Sequence, residues 1–369
     1  MSAIKLCPLI IFAPGMMAGA EKVVMGSIEG FLEIGIIPEV VLIKESRVPH
    51  FYDHFLKLLP KNINVTTFIS HSPIDLKLYL NLKKFFAALS KNHIIHTHGF
   101  KSLIYASLAN VHLIHTHTHH GDTSFNYKVQ MYEKIARFFM KKCHCIFSVS
   151  DEMSKELRVK LSPFKNIITI YNMLSFSKTE AFRQNKKLAI GSKIKILYLG
   201  RISKEKGIID FIQFFLSIKN DHLELTIVGD GYLRSTLETL IKNHSNIHFV
   251  GFQPNPEQYL VENDILIMPS FKEGMPITLI ESLSIGVPVI ANNVGAIPFL
   301  ITNGHNGLLI NLEKNNFNND EWKNAFSTLP SKIEQLKKNT LSEAPKIEIQ
   351  FSKKRWAENT YKAYQDLFS

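Results

Sequence analysis

Short apolar runs alternate with longer amphipathic stretches along almost the whole chain. In the first half, "LIIFA", "EVVLI", "NVTTF", "HIIHT", "VHLIHTH", "CIFSVS" and "NIITIYN" have the length and composition of buried strands. Between them lie segments with helical spacing, such as "GAEKVVMGSIEGFLEIG" and "NYKVQMYEKIARFFMKK". Strand and helix in turn are the rhythm of a parallel sheet. The pattern fades over "MLSFSKTEAFRQNKKLAIGSK", which reads as an interdomain linker, and then restarts. "IKILYLG", "LELTIVG", "IHFVG", "DILIMPS" and "PVIANN" read as further strands. "GIIDFIQFFLSIKN" carries Ile208, Ile209, Phe211, Ile212 and Phe215 at helical spacing. The tail "SKKRWAENTYKAYQDLF" reads as an amphipathic helix with Trp356, Tyr361, Tyr364 and Phe368 as its anchors.

These elements predict an α/β protein with two Rossmann-like domains facing across a cleft. The expected divisions are a first domain over 1–175, a linker over 176–193, a second domain over 194–350 and a closing helix over 351–369. A length of 369 residues suits two cores better than one. Open parallel sheets bind ligands beyond the carboxyl ends of their strands, so functional motifs are expected in the loops that follow strands.

Composition adds limits. Hydrophobic content of 45% and charged content of 20% are those of an ordinary globular protein. The three cysteines, Cys7, Cys143 and Cys145, make no disulfide framework, which points to a reducing compartment. The opening "KLCPLIIFAPGMMAGA" is broken by Pro8, Pro14 and Gly15 too early for a signal helix, and no apolar run is long enough to span a bilayer. A cytoplasmic protein is expected. Charge is uneven: residues 1–190 hold 24 Lys/Arg against 13 Asp/Glu, whereas residues 191–369 hold 19 of each. The whole excess of +11 lies in the first half. Scattered surface lysines would account for it. So would an anionic partner: a membrane surface, a phosphorylated acceptor or nucleic acid.

Two loops carry the most chemistry. In "SFKEGMPITLIESLSIGVPVIA" Glu273 precedes a loop, Pro276 stands where a helix would start, and Glu281 lies inside that helix. The backbone around Gly274, Met275, Pro276 and Ile277 can offer N–H groups to an anion or a sugar hydroxyl. Glu273 can accept from sugar hydroxyls, and Glu281 can reach a ribose diol. In "YLGRISKEKG" a strand ends at Gly200, and Arg201 and Lys206 follow before a helix. Two cations at such a turn suit a diphosphate, Arg by its planar fork and Lys as a point charge. "IVGDGYLRSTLE" places Gly229 and Gly231 after the next strand, where a backbone can approach closely, but it is not a dinucleotide fingerprint.

Taken together, "GRISKEKG", "IVGDGYLRSTLE", "FVGF", "DILIMPSFKEGMPITLIESLSIGVPVIANNVGAIPFLI" and "NGHNGLLI" resemble the retaining glycosyltransferases of the GT-B fold known as family 4, or glycosyl transferases group 1. Glu273 and Glu281 match that family's E-x7-E motif. The first half is similar more weakly, through "AGAEKVV", "VSDEMSKEL" and "IYNML". The resemblance implies that Arg201 and Lys206 bind the donor diphosphate and Glu281 the ribose hydroxyls. It gives Glu273 and Gly274–Ile277 the donor sugar, and Gly19 a close approach to the donor phosphate. The first glycine of the family's pair is here Ala18. The resemblance also implies a last helix that crosses back onto the first domain, and a same-face mechanism in which the leaving phosphate takes the acceptor's proton. Metal-dependent transferases often use Asp-x-Asp; this chain has none, so no metal and no cofactor is expected. The expected substrate is a UDP-sugar, with GDP-sugars also compatible.

Histidines are the remaining feature. "NHIIHTHGF" and "IHTHTHHGD" hold seven of the sixteen. Strand alternation puts His115, His117 and His119 on one face and Thr116, Thr118 and His120 on the other. Same-face residues in a strand are spaced about 7 Å apart, too far to converge on one ion. "CHC" at 143–145 lacks the spacing of zinc loops and reads as buried strand. His112 and His115 read as packed or surface residues. "HHGD" falls at a strand end, and the resemblance implies that His120, or else His119, contacts the donor sugar near the reacting carbon. His98 and Lys101, at the end of the preceding strand, would line the acceptor side.

The resulting expectation is a retaining hexosyl- or N-acetylhexosaminyl-transferase of bacterial surface-polysaccharide or lipopolysaccharide synthesis. It would bind a nucleotide-sugar donor and a saccharide or lipid-linked acceptor, with peripheral contact to the anionic inner membrane through its basic half. An epimerase or hydrolase on the same scaffold would need first-half carboxylates, of which Glu21 and Asp122 lie near the loops. A histidine-rich metal-binding protein would explain the imidazoles alone. Nucleic-acid binding would explain the charge but not Glu273 or Glu281, and is not expected.

Overall fold

The computed structural model describes residues 5–15, 19–110, 112–121, 127–164, 166–175, 179–184, 193–314 and 316–369. Two compact units emerge, one comprising Met1–Ser175 with Phe351–Ser369, the other Phe176–Gln350. In the first, strand and helix alternate: β1 (Cys7–Phe12), α1 (Gly19–Glu33), β2 (Glu39–Glu45), α2 (Pro49–Leu58), β3 (Val65–Ser70), α3 (Leu76–Ala87) and β4 (His93–His98). Then follow α4 (Phe100–Ala109), β5 (Ile114–His119), α5 (Tyr127–Met140), β6 (Cys145–Ser148), α6 (Asp151–Lys160) and β7 (Ile167–Thr169). The strands form one parallel sheet in the order β3-β2-β1-β4-β5-β6-β7.

The second unit repeats the plan. It begins with α7 (Thr179–Gln184) and continues with β8 (Ile194–Leu199), α8 (Ile208–Ser217), β9 (Leu223–Val228), α9 (Arg234–Ile241) and β10 (Ile247–Gly251). Then come α10 (Glu257–Glu262), β11 (Ile265–Met268), α11 (Ile277–Ile285), β12 (Val289–Asn292), α12 (Ile297–Leu300), β13 (Gly307–Ile310) and α13 (Asn319–Gln350). Its sheet is parallel in the order β10-β9-β8-β11-β12-β13. In both sheets the first strand of the unit sits centrally and the order reverses beside it. That is the switch point where doubly wound sheets open a crevice at their carboxyl edge.

Strands β1 and β11 are almost wholly apolar because helices cover both faces of a parallel sheet. Leu9, Ile10 and Ile11 of β1 and Ile265, Leu266 and Ile267 of β11 are buried. Asp75 caps α3 by accepting from the Leu78 N–H at 3.0 Å, and Ser150 caps α6 through the Met153 N–H at 3.2 Å. The expected linker is not featureless: α7 packs on α10 and α11. Its Arg183 donates to the Ser284 carbonyl at 3.0 Å and pairs with Glu348 at 2.8 Å. The rest of 176–192 lies outside the described residues, as do Ala18 and Asp122. The sequence pattern also passed over α13, which runs through Pro330 and Pro345. Each proline removes a helical hydrogen bond. Burial of Trp322, Phe326, Leu329, Ile333 and Leu336 on one stripe holds the helix nonetheless, and buried Lys337 reaches Asp264 at 2.6 Å.

Closing the first unit is α14 (Lys353–Phe368), capped by Ser352 and packed on α1. A Cβ built on Gly30 of α1 would fall on the Lys353 carbonyl, so the two helices touch backbone to backbone. Trp356 and Tyr364 are buried against Phe31, at ring-centroid distances of 5.6 and 6.1 Å. The Tyr361 hydroxyl accepts from the Leu6 N–H at 3.1 Å. Phe368 is only half-buried.

Beneath α14 the sheet core is polar. His96 bonds the Tyr364 hydroxyl through Nδ1 and Thr118 Oγ1 through Nε2, the latter at 2.7 Å. On the opposite face Thr97 Oγ1 meets His115 Nε2 and His117 Nδ1, each at 3.0 Å. Burial in this sheet pushes His96 and His115 down to about 3, with neighbouring imidazoles adding to it. Both are neutral in the folded protein. As pH falls below about 6.5, the unfolded chain binds protons that the folded chain refuses, so stability declines until pH nears 3. Each such histidine contributes up to about 1.4 kcal/mol per pH unit. Urea unfolding should therefore show a midpoint that drops steeply between roughly pH 6.5 and 4.5. His115→Gln should flatten that slope by about one proton; a slope unchanged by the substitution would contradict the account.

Candidate active site

In the second unit the loops after β8, β9, β11 and β12 meet at the carboxyl edge, and glycine makes the meeting possible. Gly207 has φ +64, and a Cβ there would fall on the Pro269 carbonyl. Gly295, at φ +56, presses likewise on the Glu273 carbonyl, and Gly229, at φ +139, on that of Gly200. Hydrogen bonds fix the contact. Phe271 N–H donates to the Glu205 carbonyl at 2.9 Å, and Ala296 N–H to that of Gly274 at 3.1 Å. The Asn292 amide donates to the carbonyls of Pro269 and Ser270 at 2.8 and 3.1 Å, while its oxygen accepts from the Trp322 indole at 3.1 Å.

This packing brings two distant motifs together. Lys206 Nζ lies 2.6 Å from Glu273 Oε1, and Ser270 Oγ donates to the same oxygen at 2.7 Å. The Glu273 side chain is only 7% exposed, whereas Lys206 keeps a quarter of its surface open. Arg201 is more open still, its guanidinium 3.6 Å from Glu205. Its carbonyl accepts from the Tyr198 hydroxyl at 2.6 Å. Burial, with Glu273 and Glu205 nearby, raises that phenol well above its ordinary range and keeps it a donor. Pro276 caps α11 in an extended conformation. The N–H groups of Ile277 and Thr278 thus have no acceptor within the helix and carry the positive end of its dipole. The side chains of Met275 and Ile277 are buried, so what this segment offers a ligand is backbone. Glu281, one turn on, is fully buried.

At the carboxyl edge of the first sheet, Gly19 is exposed as the first residue of α1. Buried Glu21 accepts from the Gly15 N–H at 3.0 Å and so ties the β1–α1 loop. His98 ends β4, completely buried, and its Nδ1 lies 3.1 Å from Nε2 of half-buried His120. Burial, and then His119, lowers His120 to about 4, so its imidazole is a neutral hydrogen-bonding group. His119 is buried on the other face of β5. Lys101 does not join them. It pairs with Glu45 at 3.1 Å and lines a small, half-open hollow with Arg47, Ser70 and His71. His98 thus stands behind His120, and Lys101 beside the ends of β2 and β3.

Among the described residues, the group of His, Cys and acidic side chains whose ligand atoms lie within 4.8 Å of one another is Cys7, Glu39 and His93, at the amino ends of β1, β2 and β4. The β5 histidines are not part of it. Sequence reasoning missed Ser270, Asn292, Gly207 and Gly295, which hold Glu273 in place. Gly207 and Gly295 carry a sequence signal, glycine after a strand; Asn292 carries none, because its partners are 22 and 30 residues away.

With this geometry in view, comparison with known proteins is decisive for the family. Residues 18–177 match the model for Glycosyltransferase Family 4, and residues 180–344 match that for Glycosyl transferases group 1. The chain belongs to this glycosyltransferase family and has its GT-B fold. Among curated relatives, N-acetyl-alpha-D-glucosaminyl L-malate synthase of Bacillus anthracis is 30% identical over 183 residues, 47% of this chain and 48% of that protein. The putative teichuronic acid biosynthesis glycosyltransferase TuaC of Bacillus subtilis is 33% identical over 172 residues, 45% and 42% respectively. The chain spans about half the length of the curated relatives it matches. Among solved structures, Anabaena HepE in complex with UDP and glucose superposes with a TM-score of 0.77 over 98% of this chain and 99% of that one, at 17% identity.

Gly207→Ala tests the loop packing. The new methyl meets a backbone carbonyl that cannot swing away, and a positive φ disfavours it further. A loss of about 2–4 kcal/mol in stability is expected. Thermal or urea unfolding of the variant would read it; parental stability would refute the assigned role.

Proposed function

We propose that the protein is a retaining glycosyltransferase that moves a hexosyl or N-acetylhexosaminyl group from a nucleotide-diphospho-sugar to a saccharide or lipid-linked acceptor in bacterial surface-polysaccharide synthesis. The observation that carries this reading is the 2.6 Å contact between Lys206 and Glu273, which unites the cationic turn with the E-x7-E segment at the switch point of the second sheet. Arg201 and Lys206 neutralise the diphosphate as the bond from the anomeric carbon to its oxygen breaks. The N–H groups at the start of α11 add a fixed positive potential, so cations and dipole perform what a bound metal does in other transferases. Glu281 accepts from the ribose hydroxyls; Glu273 and the backbone of Gly274–Ile277 hold the sugar; Gly19 approaches the phosphate.

The first unit receives the acceptor. His120, neutral and held by His98, contacts the donor sugar near the reacting carbon, whereas buried His119 and the separate Lys101 are left out of that contact. The acceptor oxygen bonds to the anomeric carbon from the face the diphosphate leaves, and its proton passes to the departing phosphate oxygen. UDP-sugars are the favoured donors, a choice supported by the fold shared with the UDP-bound Anabaena protein. The relation to a putative teichuronic acid enzyme supports the polysaccharide setting. No helix among the described residues is long and apolar enough to cross a membrane. This is compatible with the cytoplasmic location we assign.

A donor-hydrolysis screen across UDP- and GDP-sugars tests the proposal. One UDP-sugar should turn over, and Arg201→Ala and Glu281→Ala should each lower kcat/KM by about 100-fold or more. Turnover at parental rates in both variants would remove the site from these residues.

A further inference from the structure

We propose that the outer faces of α3, α4 and α5 form one surface by which the first unit docks on a bilayer rich in anionic lipid. On α5, Met131, Ile135 and Phe138 follow one another at four- and three-residue spacing and are 50, 40 and 61% exposed. They form a single apolar stripe on the side opposite buried Ala136 and Met140, which face the core. On α3, Leu76 and Leu80 are 69 and 53% exposed, opposite buried Leu78, Leu82 and Phe86. Helix α4 packs between the two and adds exposed Leu108. Isolated apolar residues on a surface need no explanation, but stripes on two helices with a further exposed leucine on the helix between them do.

The charges around the stripes indicate what covers them. Lys134, Lys141 and Lys142 flank the α5 stripe, and Lys77, Lys83 and Lys84 flank that of α3, all exposed. The Lys142 ammonium lies 5.2 Å from the Phe138 ring centre, so its charge sits at the edge of the apolar stripe. Between Asp75 and Asp122 the chain has no Asp or Glu and five lysines. Asp75 is committed to the α3 cap and the His71 N–H, and Glu133 on α5 is buried. An exposed apolar stripe in a field of lysines is what an interfacial helix presents to acyl chains and anionic headgroups. A second copy of the face would bring lysines against lysines with no carboxylate between them. Nucleic acid would use the lysines and leave the leucines, isoleucine and phenylalanine in water. The basic first half of the chain thereby acquires a location and an apolar complement.

The test uses the full chain and sucrose-loaded vesicles of phosphatidylcholine, with or without phosphatidylglycerol. The parent should sediment with the mixed vesicles at low salt and only weakly with phosphatidylcholine alone. Ile135→Ser/Phe138→Ser should lower the partition coefficient at least about tenfold at every salt concentration, and Lys134→Gln/Lys141→Gln/Lys142→Gln by as much at low salt only. Phe138→Trp should shift its emission to the blue on mixed vesicles. Unfolding temperatures of these surface variants should match the parent. Equal sedimentation of parent and variants would overturn the proposal. So would a dimer in solution that the serine pair converts to monomer, or DNA binding that replaces vesicle binding. Donor hydrolysis without vesicles should be unchanged in all variants, so failure here is separable from failure of the transferase reading.

Discussion

The second unit depends on neighbouring loops approaching closer than any side chain allows. Parallel strands deliver successive loops to one edge, and there Gly207, Gly229 and Gly295 let backbone lie against the carbonyls of Pro269, Gly200 and Glu273. Because those loops touch, a lysine after the first strand of the sheet reaches a carboxylate after the fourth. The Asn292 amide and the Trp322 indole then fasten the β11 loop to the core. Backbone contacts of this kind fix where the loops stand relative to one another.

The first unit reaches a similar edge by different means. Its central strands carry imidazoles and hydroxyls where aliphatic side chains would be usual, and the hydrogen bonds of His96, Thr97, His115, His117 and Thr118 satisfy one another inside the sheet. Buried polar groups of this kind are tolerated only when partnered and uncharged. Tyr364 supplies one of the partners, which ties α14 to the chemistry of β4 as well as to the backbone of α1. His120 is the partly open end of this polar core, held in a neutral state by the same burial that protects the rest. The histidine string along the chain is, in three dimensions, a hydrogen-bonded interior from which His120 emerges partly exposed.

The sequence alone determined the class of fold, because a parallel α/β sheet writes its alternation of apolar strands and amphipathic helices directly into the chain. Twelve strands were legible in that pattern, and the family's motifs named Arg201, Lys206, Glu273 and Glu281. The β13 strand and α13 were not legible as elements. The apolar run of β13 is only three residues, set behind Gly307 and a polar turn, and two prolines within a helix argue locally against what burial of Trp322 and its neighbours imposes. Tertiary structure alone decided the pairing of Lys206 with Glu273, the supporting roles of Ser270 and Asn292, the withdrawal of His98 behind His120, and the separation of Lys101 from both. Each depends on contacts between residues far apart in the chain. Local propensity carries no trace of such contacts, since they exist only once the sheet has set its register and brought the loop ends to one edge.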